Sequence, residues 1–185
     1  MRTFRDRYFE DYVAVPDEKR PGKVKYEYAG QYAEAFVEGK DLKGWKICMA
    51  GAEAVSILLF LFVGTRDILF NSYRISAGIG IIALVPWMLE IYSVFRFVGA
   101  KNPMKENDRQ SIENCINAGA VLHGILLFLM TAAGSVYVAR AGMLGENLFV
   151  ILGHLCVGSL SFVILRLYKR VYYYTLPNQA GRKEK

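Results

Sequence analysis

The chain has 185 residues, one domain's length, of which 54% are hydrophobic and 22% charged, with a formal net charge of +6. Apolar and charged residues fall in separate blocks instead of alternating at helix or strand period, which excludes an ordinary soluble domain. The positive charge does not point to nucleic acid, because its distribution follows the apolar blocks.

Residues 1–44 read as a cytoplasmic arm with nine acidic and nine basic side chains. The charged start Met1-Arg-Thr-Phe-Arg-Asp-Arg has no apolar core, so no cleavable signal peptide is expected. Pro16-Asp-Glu-Lys-Arg-Pro-Gly22 reads as a turn. Lys23-Val-Lys-Tyr-Glu-Tyr28 alternates as a short strand would. After Gly30, the spacing of Tyr32, Ala35 and Phe36 predicts a short helix over 31–37. Phe4, Tyr8, Phe9, Tyr12, Tyr26, Tyr28 and Tyr32 make the arm aromatic, and Tyr26, Tyr28, Tyr32 and Phe36 are its candidate docking residues for a partner.

A transmembrane domain is expected over 45–175, with spans near 46–64, 76–98, 117–139 and 147–168. Each approaches the ~20 residues that cross a ~30 Å hydrocarbon core. Trp45-Lys46 opens the first span with an interfacial aromatic beside a snorkelling cation. Pro86, inside the second, removes a backbone donor and predicts a kink near Ile82. The third begins amphipathically at Ser111-Ile-Glu-Asn-Cys-Ile-Asn117, as a helix emerging from the membrane would. The fourth exits through an aromatic, basic collar, Arg166 to Tyr174, with Pro177 as its stop. Residues 176–185 read as a disordered cytoplasmic tail.

Ten Lys or Arg lie in residues 1–46, three in the 99–112 loop and six from Arg166 onward. Arg66, Arg74 and Arg140 are all that the other two loops carry. This bias places both termini in the cytoplasm of a cell (inner) membrane. The absence of any Asn-x-Ser/Thr sequon fits a bacterial one. Cys48, Cys115 and Cys156 lie in or beside spans, so no disulfide framework is implied.

Four ionisable residues, Glu53, Glu90, His123 and His154, interrupt the spans, one in each. A charge at mid-bilayer costs about 3 kcal/mol or more, so such groups face the bundle and are functional candidates. Small neighbours at helical spacing accompany them: Ala50 and Ser56 beside Glu53, Gly119 and Ala120 beside His123, Gly158 and Ser161 beside His154. One reading is structural, with these groups hydrogen-bonding to fix helix packing. A second is a protonatable pathway coupled to a substrate. A third is haem ligation by His123 and His154, or a transition metal held by the two Glu and two His.

No phosphate-binding glycine loop, His-Glu-x-x-His, Cys-x-x-Cys or Gly-x-Ser-x-Gly is present, and no catalytic residue or resident metal or cofactor is expected. The sequence therefore predicts an all-α integral membrane protein, a four-helix transmembrane bundle with a cytoplasmic N-terminal arm. Its expected role is non-enzymatic: proton- or cation-coupled transport, or service as an accessory subunit of a membrane complex. The alternative is a haem- or metal-binding redox subunit. Its partners are expected to be the lipid bilayer and either further copies of itself or a larger membrane protein.

Overall fold

A computed structural model describes residues 12–16, 20, 23–36, 39–171 and 173–176. The first helix, α1, spans Gly39–Gly64; α2 is a single turn at Leu69–Ser72; α3 spans Arg74–Gly99, α4 Glu106–Arg140 and α5 Leu144–Lys169. The four long helices are each long and apolar enough to cross a membrane. Five short strands complete the described chain: β1 (Tyr12–Pro16), β2 (Val24–Tyr28), β3 (Tyr32–Ala35), β4 (Met104–Lys105) and β5 (Tyr173–Leu176). The protein is thus an all-α, four-span bundle, with its strands gathered at one end, called here the sheet end.

The long helices form a ring in the order α1, α5, α4, α3, and α1 meets α3 along its thinnest side. Large apolar side chains such as Leu58 of α1 and Ile81 and Val85 of α3 are about two-thirds exposed. In water that surface would be prohibitive; in lipid it is the solvated face. Two apolar clusters fill the interior. One, toward the sheet end, holds Met49, Val94, Ile116, Ala120 and Ile164. The other, in the far half, holds Val63, Ala83, Leu127, Met130, Val150 and Val157. On every helix the gap between these clusters falls at a polar residue: Glu53, Glu90, His123 and Ser161.

Lipid tails give helices no hydrophobic reason to associate, so close backbone approach matters. A Cβ added at Gly119 of α4 would lie 2.8 Å from Glu90 N and 2.9 Å from Pro86 O, both backbone atoms of α3. The missing side chain lets α3 and α4 touch beside the polar layer. α3 continues unbroken through Pro86, and its opening residues, from Arg74, extend the second span beyond the expected start at 76.

At the far end, α2 lies across the bundle with Phe70 fully buried. Asn147 Oδ1, at the start of α5, accepts the Phe70 backbone N–H at 2.9 Å. Asn71 Nδ2 donates to the Val63 and Arg66 carbonyls at 2.8 and 2.7 Å, closing the C-terminus of α1.

The sheet end departs from the sequence reading in two places. Residues 32–35 form a strand rather than the expected short helix over 31–37, with β3 central in an antiparallel sheet of order β4-β3-β5. Ala33 and Ala35 are buried against the bundle while Tyr32 and Glu34 turn outward. Partners about 70 and 140 residues away supply its backbone bonds, and Asn102 Oδ1 accepts the Ala35 N–H at 2.9 Å. Local spacing carries no sign of those partners. The last helix ends at Lys169, well short of Pro177, and Tyr173–Leu176 pairs with β3 as β5. Leu176, expected to open a disordered tail, therefore belongs to a strand; 177–185 lie outside the described residues. So do Phe4, Tyr8 and Phe9 and most of the 16–22 turn. The expected strand at 23–28 is present as β2, hairpinned on β1.

Candidate functional site

The polar layer is built by one residue from each long helix. Glu53, Glu90 and Ser161 are 0% exposed or nearly so, as is His123. His123 Nδ1 lies 2.8 Å from Ser161 Oγ and 3.2 Å from Glu90 Oε2. Gly119, one turn earlier on α4, creates the close approach that brings this imidazole to α3. The Trp87 indole stacks on a face of the His123 ring, with centroids 5.2 Å apart and planes at 19°. Glu53 faces this group from α1, within electrostatic range of Glu90 and beside Trp87.

Several polar atoms here meet no hydrogen-bond partner among the described residues: both Glu53 oxygens, Glu90 Oε1, His123 Nε2 and Trp87 Nε1. Trp87 Nε1 and Glu53 approach one another without reaching hydrogen-bond geometry. Buried polar groups are ordinarily bonded, since each unmade bond costs about 1–3 kcal/mol. Five buried polar atoms without a protein partner among the described residues therefore gather in this one layer.

His123 Nδ1 serves two neighbours, and its hydrogen position decides how. With a proton on Nδ1, the ring donates toward Glu90 Oε2 or Ser161 Oγ. Without one, Nδ1 accepts from the Ser161 hydroxyl or from a protonated Glu90. A proton can thus move between Glu90 and His123 with little change in heavy-atom position.

The structure brings Glu53, Glu90 and His123 together but leaves His154 apart. His154 stacks on Phe70 at 5.5 Å and meets the edge of Phe60 at 5.8 Å. Phe60 packs on Trp87 at 4.7 Å, and Trp87 covers His123. Phe60 and Trp87 thus link the two imidazoles in one run of ring contacts. Among the described residues, no three His, Cys, Asp or Glu side chains group in a way that could hold a metal ion. The sequence offered Ser161 only as a small neighbour of His154, and Trp87 was not among its candidate site residues. Only the partner helix reveals what they touch.

The candidate docking residues divide. The Tyr28 ring packs edge-on against Tyr12 and Tyr32, at 5.4 and 5.2 Å, and its hydroxyl donates to Gln31 O at 3.0 Å. Lys105 Nζ donates to Tyr12 OH at 2.8 Å and sits over the Tyr12 and Tyr28 rings, joining the hairpin to the start of α4. Tyr26 and Phe36 are 63% and 76% exposed. The cysteines are free: Cys48 and Cys156 exposed, Cys115 half-buried.

Comparison with protein-family models, curated proteins and solved structures finds no match to this chain.

Proposed function

We propose that this chain is a proton- or cation-coupled membrane transport protein, with Glu53, Glu90 and His123 as the coupling site. One observation carries the reading. In the middle of the bundle, a carboxyl group with neither oxygen bonded stands within electrostatic range of a second carboxyl that shares a nitrogen with Ser161. Two anions this deeply buried repel strongly, and a proton or cation between them removes the repulsion. Release and uptake of that charge is the chemistry a coupled carrier requires.

The same reading puts the sheet end in the cytoplasm. Lys43, Lys46, Arg96, Lys101, Lys105, Arg109, Arg166, Lys169 and Arg170 gather there, against Arg66, Arg74 and Arg140 at the far end.

Purified protein in liposomes that enclose a pH-sensitive dye tests the proposal. Under an imposed membrane potential, wild-type vesicles should acidify faster than empty ones. Glu53→Gln and Glu90→Gln, each close in size to the carboxyl it replaces, should return the rate to the empty-vesicle baseline. Wild-type flux equal to that baseline, or flux untouched by both substitutions, refutes proton coupling at this site.

A second reading, an accessory subunit, is favoured by the exposure of Tyr26 and Phe36 outside the apolar spans. Aromatic side chains of this kind anchor protein interfaces. Tyr26→Ala combined with Phe36→Ala should then strip a copurifying membrane partner from the protein in mild detergent, and retention of every partner rejects it.

A further inference from the structure

In the far half of the bundle, on the thin side of the ring between α1 and α3, lies a cavity of about 320 Å³. It is separate from the polar layer, and its volume is in the range of small-molecule sites. Its walls are apolar: Phe60, Phe70 and Met130 inside, with Leu61, Ile81 and Leu84 at the rim. Those three rim residues are exposed on the lipid-facing surface, so the cavity lies open on the bilayer side. Among the described residues, no Asp, Glu, Lys or Arg lines it. A charged occupant would find no counter-ion there.

The polar side chains on the wall are of two kinds. Thr65 Oγ1 donates to Leu61 O, and Asn71 is committed to the carbonyls that end α1. Ser76 and His154 are 1% and 3% exposed, yet Ser76 Oγ and His154 Nδ1 have no hydrogen-bond partner among the described residues. Both groups can donate a hydrogen bond, the serine through O–H and the imidazole through N–H. The stacked pair of His154 and Phe70, with Phe60 edge-on to the imidazole, presents aromatic surface suited to a flat ring.

We propose that this cavity binds the head of an uncharged, lipid-soluble carbonyl compound of the quinone class, with Ser76 and His154 as its hydrogen-bond donors. The head enters from the bilayer between α1 and α3, and its isoprenoid or alkyl tail stays in lipid along the rim. An acceptor-only, flat, neutral head matches donor groups, aromatic faces and the absence of charge together. The site stands independently of the coupling role of Glu53 and Glu90.

Fluorescence tests it in the full chain. The protein has two tryptophans, Trp45 and Trp87. Trp87 packs on Phe60 of the cavity wall, so Trp45→Phe leaves a single reporter beside the site. Titrating decylubiquinone into that protein in phosphatidylcholine nanodiscs should quench Trp87 saturably. Ser76→Ala and His154→Phe should each weaken binding by about tenfold, and the double variant by more. Gly80→Leu, which fills the cavity from α3, should abolish saturation while the protein still elutes as a folded species. Oleate, a charged amphiphile, should not compete. Quenching that never saturates, saturation unaffected by all three variants, or displacement by oleate would each overturn the proposal. Proton flux in the liposome assay is a separate readout, so failure of one proposal leaves the other standing.

Discussion

Replacing Gly119 with alanine is the sharpest test of how the polar layer is held. The new Cβ would lie 2.8 Å from Glu90 N, 2.9 Å from Pro86 O and 3.1 Å from Glu90 Cα. Ordinary contacts of these types sit near ~3.4 Å, so α3 and α4 must part by roughly 0.5 Å. All three obstructing atoms are backbone, and no rotamer change relieves them. Overpacking of this kind costs about 1–3 kcal/mol. Parting the helices also stretches the 3.2 Å contact between His123 Nδ1 and Glu90 Oε2, which lies directly beside Gly119. Gly51→Ala is the matched control, because a Cβ there meets nothing within 4 Å. Its expected effect is neutral or slightly stabilising, since alanine is the better helix former. Thermal unfolding of both variants in one detergent measures the difference. Equal stability of Gly119→Ala and wild type would mean that α3 and α4 do not approach as described, and the geometry of the polar layer would fall with them.

Ser161→Ala removes the 2.8 Å partner of His123 Nδ1 and should destabilise the bundle by about 1 kcal/mol, read from the same melts. Asn147→Ala orphans the buried Phe70 N–H and should cost about 1–3 kcal/mol, with α2 opening first to hydrogen exchange; unchanged protection of residues 69–72 would contradict the pinning role. Burial pushes the Tyr173 phenol above its ordinary range, so folding favours its neutral form. That stabilisation is intact below the ordinary tyrosine value of about 10 and is lost as pH rises above it. Wild type should therefore lose more stability between pH 8 and pH 11 than Tyr173→Phe does. At pH 8 the variant should be at least as stable as wild type, because the Tyr173 hydroxyl is buried without a partner among the described residues; equal alkaline losses in the two proteins would reject the assignment.

The four spans were legible because the bilayer imposes a crude, additive requirement, about 20 apolar residues for each crossing, that any window of sequence can satisfy or fail. Glu53, Glu90, His123 and His154 stood out for the same reason: each violates that requirement inside a span. Their grouping was a different matter. Depth along each helix allowed all four to share one slab, but the rotation of α5 put His154 beside the far cavity. Ser161, on the same helix, took the place next to His123 instead. Rotation of that kind is set by which side chains pack across the interface, and no helix encodes it alone.

The sheet end shows the division most plainly. Tyr32, Ala35 and Phe36 have helical spacing, and nothing near them in sequence forbids a helix. β4 and β5 offer backbone partners from beyond one and two helical hairpins respectively, and pairing with them buries Ala33 and Ala35 against the bundle. Sequence alone determined what this chain dissolves in and how many times it crosses, since both depend on composition summed along single segments. Which polar groups meet, where the cavity opens and which residues become strands were decided by contacts between segments, whose free energy exists only once the chain is folded.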